Sequence, residues 1–183
     1  MSERLTLYTE RLELRIAHPD DAIPATEFRI RNRDFLAPWL PLQANAAFVQ
    51  DANRQFMQEE WQDFQKGQSY RFLGFLQDDP QQVILDFRFS NVVRGAFRSC
   101  FLGYLQDEAH CGKGYMFEAL NKGIWYMFAQ ENLHRIEANI MPRNAPSIKL
   151  ALKLGFQKEG YSPRFLNIHG EWEDHERYAL LNE

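Results

Sequence analysis

The sequence predicts an α+β fold, one domain over residues 1–183 with a mixed, mostly antiparallel sheet flanked by helices. Three observations predict it. From residue 70 to residue 106, strand-like segments succeed one another with only turns between them, as antiparallel neighbours do. A glycine turn, Cys111-Gly112-Lys113-Gly114, then separates a strand from a helical run, with another strand beyond, which allows one parallel crossover. The 183 residues, 45% of them hydrophobic and 14% aromatic, suit one core and are few for two.

Residues 11–17 alternate, with Leu12, Leu14 and Ile16 on one side, and read as a strand. His18-Pro19-Asp20-Asp21 opens a helix that Pro24 is expected to break or bend. Pro38 and Pro41 bracket Trp39 and Leu40 in a predicted loop. A second helix fits 46–65, where Met57, Trp61 and Phe64 share a face, and Gly67 stops it. Strands at 70–76 and 83–89 form a hairpin about Asp78-Asp79-Pro80, and Val92-Val93-Arg94-Gly95 leads to a further strand at 100–106. The helix after the glycine turn covers 115–130, with Met116, Ala119, Leu120, Ile124, Met127 and Phe128 at helical spacing. Residues 135–141 are a strand and 144–154 a short helix stopped by Gly155. Strands at 165–168 and 172–180 close the chain about His169-Gly170. The expected order is β-α-α-β-β-β-α-β-α-β-β.

A formal charge of −4 provides no basic field for nucleic acid. No apolar run approaches the ~18–20 residues of a membrane span. Met1-Ser2-Glu3-Arg4 lacks a signal peptide's apolar stretch. Cys100 and Cys111 form neither a Cys-x-x-Cys pair nor a disulfide framework, and no His stands at ligand spacing, so no metal is expected. The expected compartment is the reducing cytoplasm, with neither nucleic acid nor membrane as a direct partner.

Two motifs carry chemistry. Gly112 and Gly114, just before a helix, build a turn whose free amides, together with the helix dipole, favour a phosphate. Lys113 adds a charge or is an ordinary solvated lysine. About thirty residues on, Asn144-Ala145-Pro146-Ser147 starts a short helix that ends at Leu154-Gly155-Phe156. Asn144 there suits an N-cap and Ser147 the first turn. In this order the motifs point to a protein that binds coenzyme A and moves its acyl group.

These blocks resemble the GNAT N-acetyltransferases. The resemblance runs from about Arg11 to the end of the chain and is densest from Phe89 to His175. Phe89-Ser90-Asn91-Val92-Val93-Arg94-Gly95, Leu102-Gly103-Tyr104, Gly114-Tyr115-Met116-Phe117-Glu118-Ala119-Leu120, Met141-Pro142-Arg143-Asn144 and Gly170-Glu171-Trp172-Glu173-Asp174-His175 look like the branch that acetylates the N-terminal alanine of ribosomal protein S5. The resemblance implies that acetyl-CoA is the cosubstrate, held by Gly112, Lys113, Gly114, Tyr115, Met116 and Asn144. It implies a backbone N–H near Leu105 for the thioester oxygen, and Ser147 as the group that hydrogen-bonds or protonates the departing thiolate. Phe35, Trp39, Arg94 and Asn139 are the candidates for the acceptor side.

The chain departs from the family pattern at four places. Cys111 stands where Arg or Gln is usual, and Met116 where Gly or Ala is usual. Ala151 occupies the place of a tyrosine acid, and Asn139 that of a glutamate base, with nearby Glu137 expected to face the other way. Without a base, the acceptor's own pKa matters. An α-amine titrates near 7.7–8.0, so roughly a tenth to a quarter is neutral near pH 7.2, whereas a lysine amine is neutral in fewer than about one molecule in a thousand. A chain N-terminus therefore fits better than a lysine. The expected partner is ribosomal protein S5, free or on the ribosome. The alternatives are a small amine acceptor (polyamine, antibiotic or amino acid) and a non-catalytic CoA-binding partner of the ribosome.

Overall fold

The computed structural model describes residues 4–42 and 45–182, so the leader reading at Met1-Ser2-Glu3 lies outside the described residues. Eight strands form one sheet in the order β1-β2-β3-β4-β5-β6-β8-β7. They are β1 (Thr6–Tyr8), β2 (Leu12–Ile16), β3 (Tyr70–Leu76), β4 (Leu85–Val93), β5 (Ser99–Gln106), β6 (Arg135–Ile140), β7 (Gln157–Ile168) and β8 (Glu171–Leu181). The helices are α1 (Ala22–Arg31), α2 (Arg33–Leu36), α3 (Gln50–Gln65), α4 (Tyr115–Ala129) and α5 (Ala145–Lys153). None is long and apolar enough to cross a membrane.

Strand alternation sends side chains to two cores. Leu12, Leu14, Ile16, Phe87, Phe89, Leu102 and Ile136 pack under α4 and α5 with Met116, Leu120 and Met127. Leu73, Phe75 and Val83 pack on the other face with Phe28, Leu36 and Met57 of the first three helices.

The sheet's one parallel contact decides the shape of the site. β5 and β6 pair only over Ser99 with Arg135, Cys100 with Ile136 and Phe101 with Glu137. Beyond that, β5 stays on β4 as far as the pairing of Leu85 with Gln106. β6 stays on β8 as far as the pairing of Ile140 with Glu176. The two halves of the sheet part between them, leaving a backbone edge on each side.

Several expectations are corrected. Pro24 does not break its helix: it lies in the first turn of α1, where a missing N–H costs no hydrogen bond. The helix start at His18 is instead a separate 3-10 turn, Pro19–Asp21, capped by His18. The segment around Trp39 is not plain loop but α2 followed by a 3-10 turn, Ala37–Trp39. The second helix begins at Gln50, after another 3-10 turn at Asn45–Phe48. β1 was not anticipated; three residues carry too little pattern. β7 starts eight residues before the expected strand, because Gly160 and Pro163 read as punctuation while the strand absorbs them in two register shifts.

Gly123 has no turn to make in the middle of α4. A Cβ there would stand 2.8 Å from Phe87 Cε2 and 3.1 Å from Phe89 Cε2, both rings being buried. Helix propensity favours Ala over Gly by about 1 kcal/mol. Overpacking a filled core costs about 1–3 kcal/mol, and it outweighs propensity here because both rings are confined by the sheet. Gly123→Ala lowers Tm and Gly123→Val lowers it further in thermal melts. A raised Tm for the alanine variant would show that α4 does not lie this close to β4.

Candidate active site

The glycine turn sits at the mouth of the split. Gly112 (φ 76°) and Gly114 (φ 82°) are both left-handed, a conformation that glycine adopts without a Cβ penalty. Gly114 is the N-cap of α4 and supplies no side-chain hydrogen bond, and the first intrahelical bond runs from the Glu118 amide to the Gly114 carbonyl at 3.1 Å. The amides of Tyr115, Met116 and Phe117 are therefore open to an anion.

A cavity of about 440 Å³ runs from this turn to the N-terminus of α5. Gly112, Gly114 and Met116 line one end, and Asn144, Pro146 and Ser147 the other. Tyr104, Leu105 and Gln106 of the split strand form its floor, with Phe35 and Trp39 along another wall. Lys149 and Lys153 of α5 also line it, and no acidic residue is among its described lining residues, in a chain that is acidic overall. Sequence reasoning missed both lysines, which look like ordinary solvated helix residues. Lys113 and Tyr115, both expected at the cofactor, are not among the residues that line this cavity.

Asn144 caps α5, its side-chain oxygen accepting from the Ser147 amide at 3.2 Å. The Ser147 hydroxyl makes no hydrogen bond among the described residues and lies half-buried in the cavity wall. Tyr104 was not anticipated as a site residue. Its hydroxyl donates to the Ser147 carbonyl at 3.2 Å, tying β5 to the first turn of α5 across the split. Burial pushes its phenol up, against the hydrogen bond to Ser147, so it stays protonated. Having spent its single hydrogen on a carbonyl, it anchors Ser147 rather than donating a proton.

The expected amide shifts by one residue. The Asp107 amide donates to the Ile84 carbonyl at 2.9 Å. Alternation along an antiparallel ladder then sends the Leu105 amide to β4 as well, and turns those of Tyr104 and Gln106 toward the split. The Leu105 side chain serves differently. With Leu36 it separates the large cavity from one of about 160 Å³ lined by Arg29, Arg33, Leu40 and His169.

The acceptor candidates divide. Phe35 and Trp39 reach the large cavity, Trp39 lying under Arg143, which bonds the Pro38 carbonyl (3.1 Å) and Glu173 (2.7 Å). Arg94 is corrected: it follows β4 at the end away from the split, bonded to Glu131 (2.7 Å) and Tyr70 (3.2 Å). Asn139 lies on β6 beyond its pairing with β5, opposite Arg177 of β8; its buried Oδ1 has no hydrogen-bond partner among the described residues, and it lines neither cavity. Glu137 shares its face rather than facing away, since two residues apart on a strand point the same way; Arg135, Glu137 and Asn139 are half-buried while Ile136, Ala138 and Ile140 are buried. Arg135 holds Glu137 at 2.7 Å.

A family model described as an acetyltransferase (GNAT) domain matches residues 11–157. The chain is 40% identical over 177 residues to the ribosomal protein uS5-alanine N-acetyltransferase of Escherichia coli (strain K12), covering 97% of this chain and 91% of that one. Among solved structures it is similar to the ribosomal-protein-S5-alanine acetyltransferase from Vibrio fischeri, with a TM-score of 0.93, 32% identity, and 98% and 97% of the two chains covered. It is also similar to Mycobacterium smegmatis RimJ in complex with CoA-disulfide, with a TM-score of 0.88, 27% identity, and 97% and 86% covered.

Asp107 holds the stem of the glycine turn to the first helices. Its carboxylate takes Arg31 Nε at 2.6 Å, Asn32 Nδ2 at 3.0 Å and the Ala109 amide at 3.0 Å, and it contacts His110 Nδ1 at 3.0 Å. Burial opposes the charge, but the bonds from Asn32, His110 and Arg31 outweigh it and lower the pKa to about 2. A depressed carboxyl stabilises the fold above its unfolded pKa, near 3.9, and that contribution is lost as pH falls from there through about 2. Asp107→Asn should cost about 2 kcal/mol at pH 7 and flatten the acid limb of stability between about pH 4 and 2. Urea unfolding across that range measures both, and an unchanged acid limb would show that Asp107 carries no such linkage.

Proposed function

Because this chain belongs to the GNAT acetyltransferase family, we propose that it transfers the acetyl group of acetyl-CoA to the N-terminal alanine amine of ribosomal protein S5. The observation that carries the proposal is the parted edge of β5 and β6 opening onto an uncapped glycine turn. One end of the cavity suits a diphosphate, and its floor offers unpaired backbone to an extended, amide-bearing arm. The residues present fit acetyl-CoA: open amides at 115–117, lysines at 149 and 153, and a volume within the ~300–1,000 Å³ range of ligand sites. Bound there, acetyl-CoA supplies an activated acyl carbon at the α5 end.

Each residue then has one task. Gly112 and Gly114 present the amides of Tyr115 and Met116 to phosphate, with Lys113 contributing its backbone, and Met116 closes the cavity wall. The Tyr104 or Gln106 amide stabilises negative charge growing on the acyl oxygen. Asn144 fixes the first turn of α5, and the Ser147 hydroxyl donates a hydrogen bond to the sulfur as it leaves. Phe35 and Trp39 exclude water from the acyl end. Asn139 Oδ1, buried and unpartnered among the described residues, accepts an N–H of the arriving α-amine. Leu105 is the partition at which donor and acceptor meet.

The choice of S5 is supported by the 40% identity to an S5-alanine acetyltransferase over nearly the whole chain. On this proposal the compartment is the cytoplasm, where a ribosomal substrate is made.

Intact-mass analysis of S5 incubated with this protein and acetyl-CoA should show a gain of one acetyl group, on the N-terminal peptide. A gain on lysines alone, or none, would sink the assignment. Ser147→Ala should lower kcat by roughly tenfold to a hundredfold without changing Tm; unchanged kcat removes Ser147 from the chemistry. Asn139→Leu should raise KM for an Ala-first peptide by roughly five- to tenfold, the worth of one hydrogen bond, with KM for acetyl-CoA unmoved. An unmoved peptide KM would place the amine elsewhere.

A further inference from the structure

The glycine turn has little of its own to hold its shape. Gly114 makes no side-chain cap, and a Cβ at Gly112 would meet nothing within 4 Å. The Cys111 thiol reaches the Asp107 carbonyl at 3.5 Å and its amide the Glu108 carbonyl at 3.2 Å, both on the stem before the glycines. Two left-handed residues in a row of three leave such a segment many alternatives.

Rigidity arrives from the opposite end of the sequence. The connection between β1 and β2 lies against α4, and Glu118 in the first turn of that helix gathers it. Glu118 Oε1 accepts from the Arg11 amide at 2.9 Å and the Thr9 hydroxyl at 2.5 Å, and Oε2 accepts from Arg11 Nε at 2.7 Å. Held this way, the Arg11 guanidinium extends over the turn. Its Nη1 donates to the Lys113 carbonyl at 3.1 Å, its carbon lies 4.4 Å from the centre of the Tyr115 ring, and its Nη2 stands 3.5 Å from where a Gly114 Cβ would be. It thus touches three successive residues of the turn. Burial opposes the Glu118 charge, but the bonds from Thr9 and Arg11 outweigh it and hold the carboxyl below its usual range, so the clasp is ionised at neutral pH.

We infer that Arg11 is a positioning residue that fixes the glycine turn with its amides facing the phosphates of the carrier. Bonding the Lys113 carbonyl on the outer side of the turn leaves the neighbouring N–H groups facing the cavity. A planar, forked donor can bond the Glu118 carboxylate and a carbonyl at once, which an ammonium at the end of a flexible stem does not do with the same geometry. Glu118 neutralises most of the charge locally, so Arg11 works by geometry more than by field. The inference rests on the proposal that this turn binds acetyl-CoA.

Calorimetry with CoA tests it, alongside turnover of S-acetylpantetheine, which lacks the phosphates. Arg11→Ala should raise Kd for CoA by roughly tenfold, since a hydrogen bond to a charged group is lost and the turn is released. Its kcat/KM with S-acetylpantetheine should stay within about twofold of wild type, while that with acetyl-CoA falls in step with Kd. Arg11→Lys should not restore affinity, and Glu118→Gln should weaken CoA binding although it removes a negative charge near the phosphates. Three results overturn the inference: rescue by lysine, tighter binding by Glu118→Gln, or equal losses with both thioesters. The first two mean that Arg11 acts by charge, and the third that it supports the fold as a whole. If Arg11→Ala does not fold, the lysine and glutamine variants decide alone. Wild-type protein that gives no heat with CoA would defeat the functional proposal, and this inference with it.

Discussion

Everything at the site depends on the parting of β5 and β6. Two strands that agree over three residue pairs and then separate leave backbone donors and acceptors unpaired in the middle of a sheet. Unpaired backbone groups shielded from water are costly, so a gap of this kind calls for water or for a ligand that completes the ladder. The amides of Tyr104 and Gln106 point into that gap while Leu105 stays bonded to β4. One strand therefore serves as both scaffold and binding surface. A sheet that ran on regularly would be more stable and would have no cleft.

Around the gap, the chain spends charge in two ways. On the side of α4 and α5 the cavity is lined by lysines, open amides and apolar groups. On the side of α1 and α3 lies a buried ionic group. Asp86, opposite Leu105 in the ladder, is held by two hydrogen bonds from Arg71, and Glu60 lies between Arg71 (3.9 Å) and Arg88 (3.2 Å). Burial raises the Glu60 carboxyl against the pull of Arg71 and Arg88. Buried pairs like these contribute little net stability, and their effect is to fix the strands behind Leu105. The cavity beside α4 and α5 is thus positive and open, and the opposite face of the sheet carries the buried ionic group.

Legibility in the sequence depended on which features leave a local mark. The glycine turn did, because left-handed backbone selects Gly, and the Asn144 cap did, because N-caps select a short list of residues. The crossover from strand to helix to strand was legible from periodicity. The split was not, since it consists of pairing that stops, and Ser99–Phe101 look no different from the rest of their strand. Arg11 gave no signal: its partners lie more than a hundred residues away in the chain. Tyr104 stood within a family block, Leu102-Gly103-Tyr104, with nothing local to single it out. The error over Glu137 was one of parity, which a count of two along the strand corrects. Arg94 belonged to a block that pointed to the family, but family resemblance locates a block and not the direction its side chains take.

The arrangement on the acceptor face bears on which amine the site can use. Glu137 is held by Arg135, Glu60 by arginines on two sides, and Asp86 by Arg71. The neutral Asn139 keeps a buried oxygen with no hydrogen-bond partner among the described residues. Each of these carboxylates already accepts from or pairs with an arginine, and none of them lines either cavity. An amine bound at the α5 end of the cavity therefore has no carboxylate beside it among the described lining residues. A lysine side chain would spend almost all of its time in the unreactive form, whereas an α-amine is already neutral in a sizeable fraction of molecules near pH 7. On the proposed function, a chain terminus is favoured because its amine needs no strong base, and no carboxylate is among the described residues that line the cavity. On that proposal, the cavity of about 160 Å³ beyond Leu105 would take the first side chain of such a terminus.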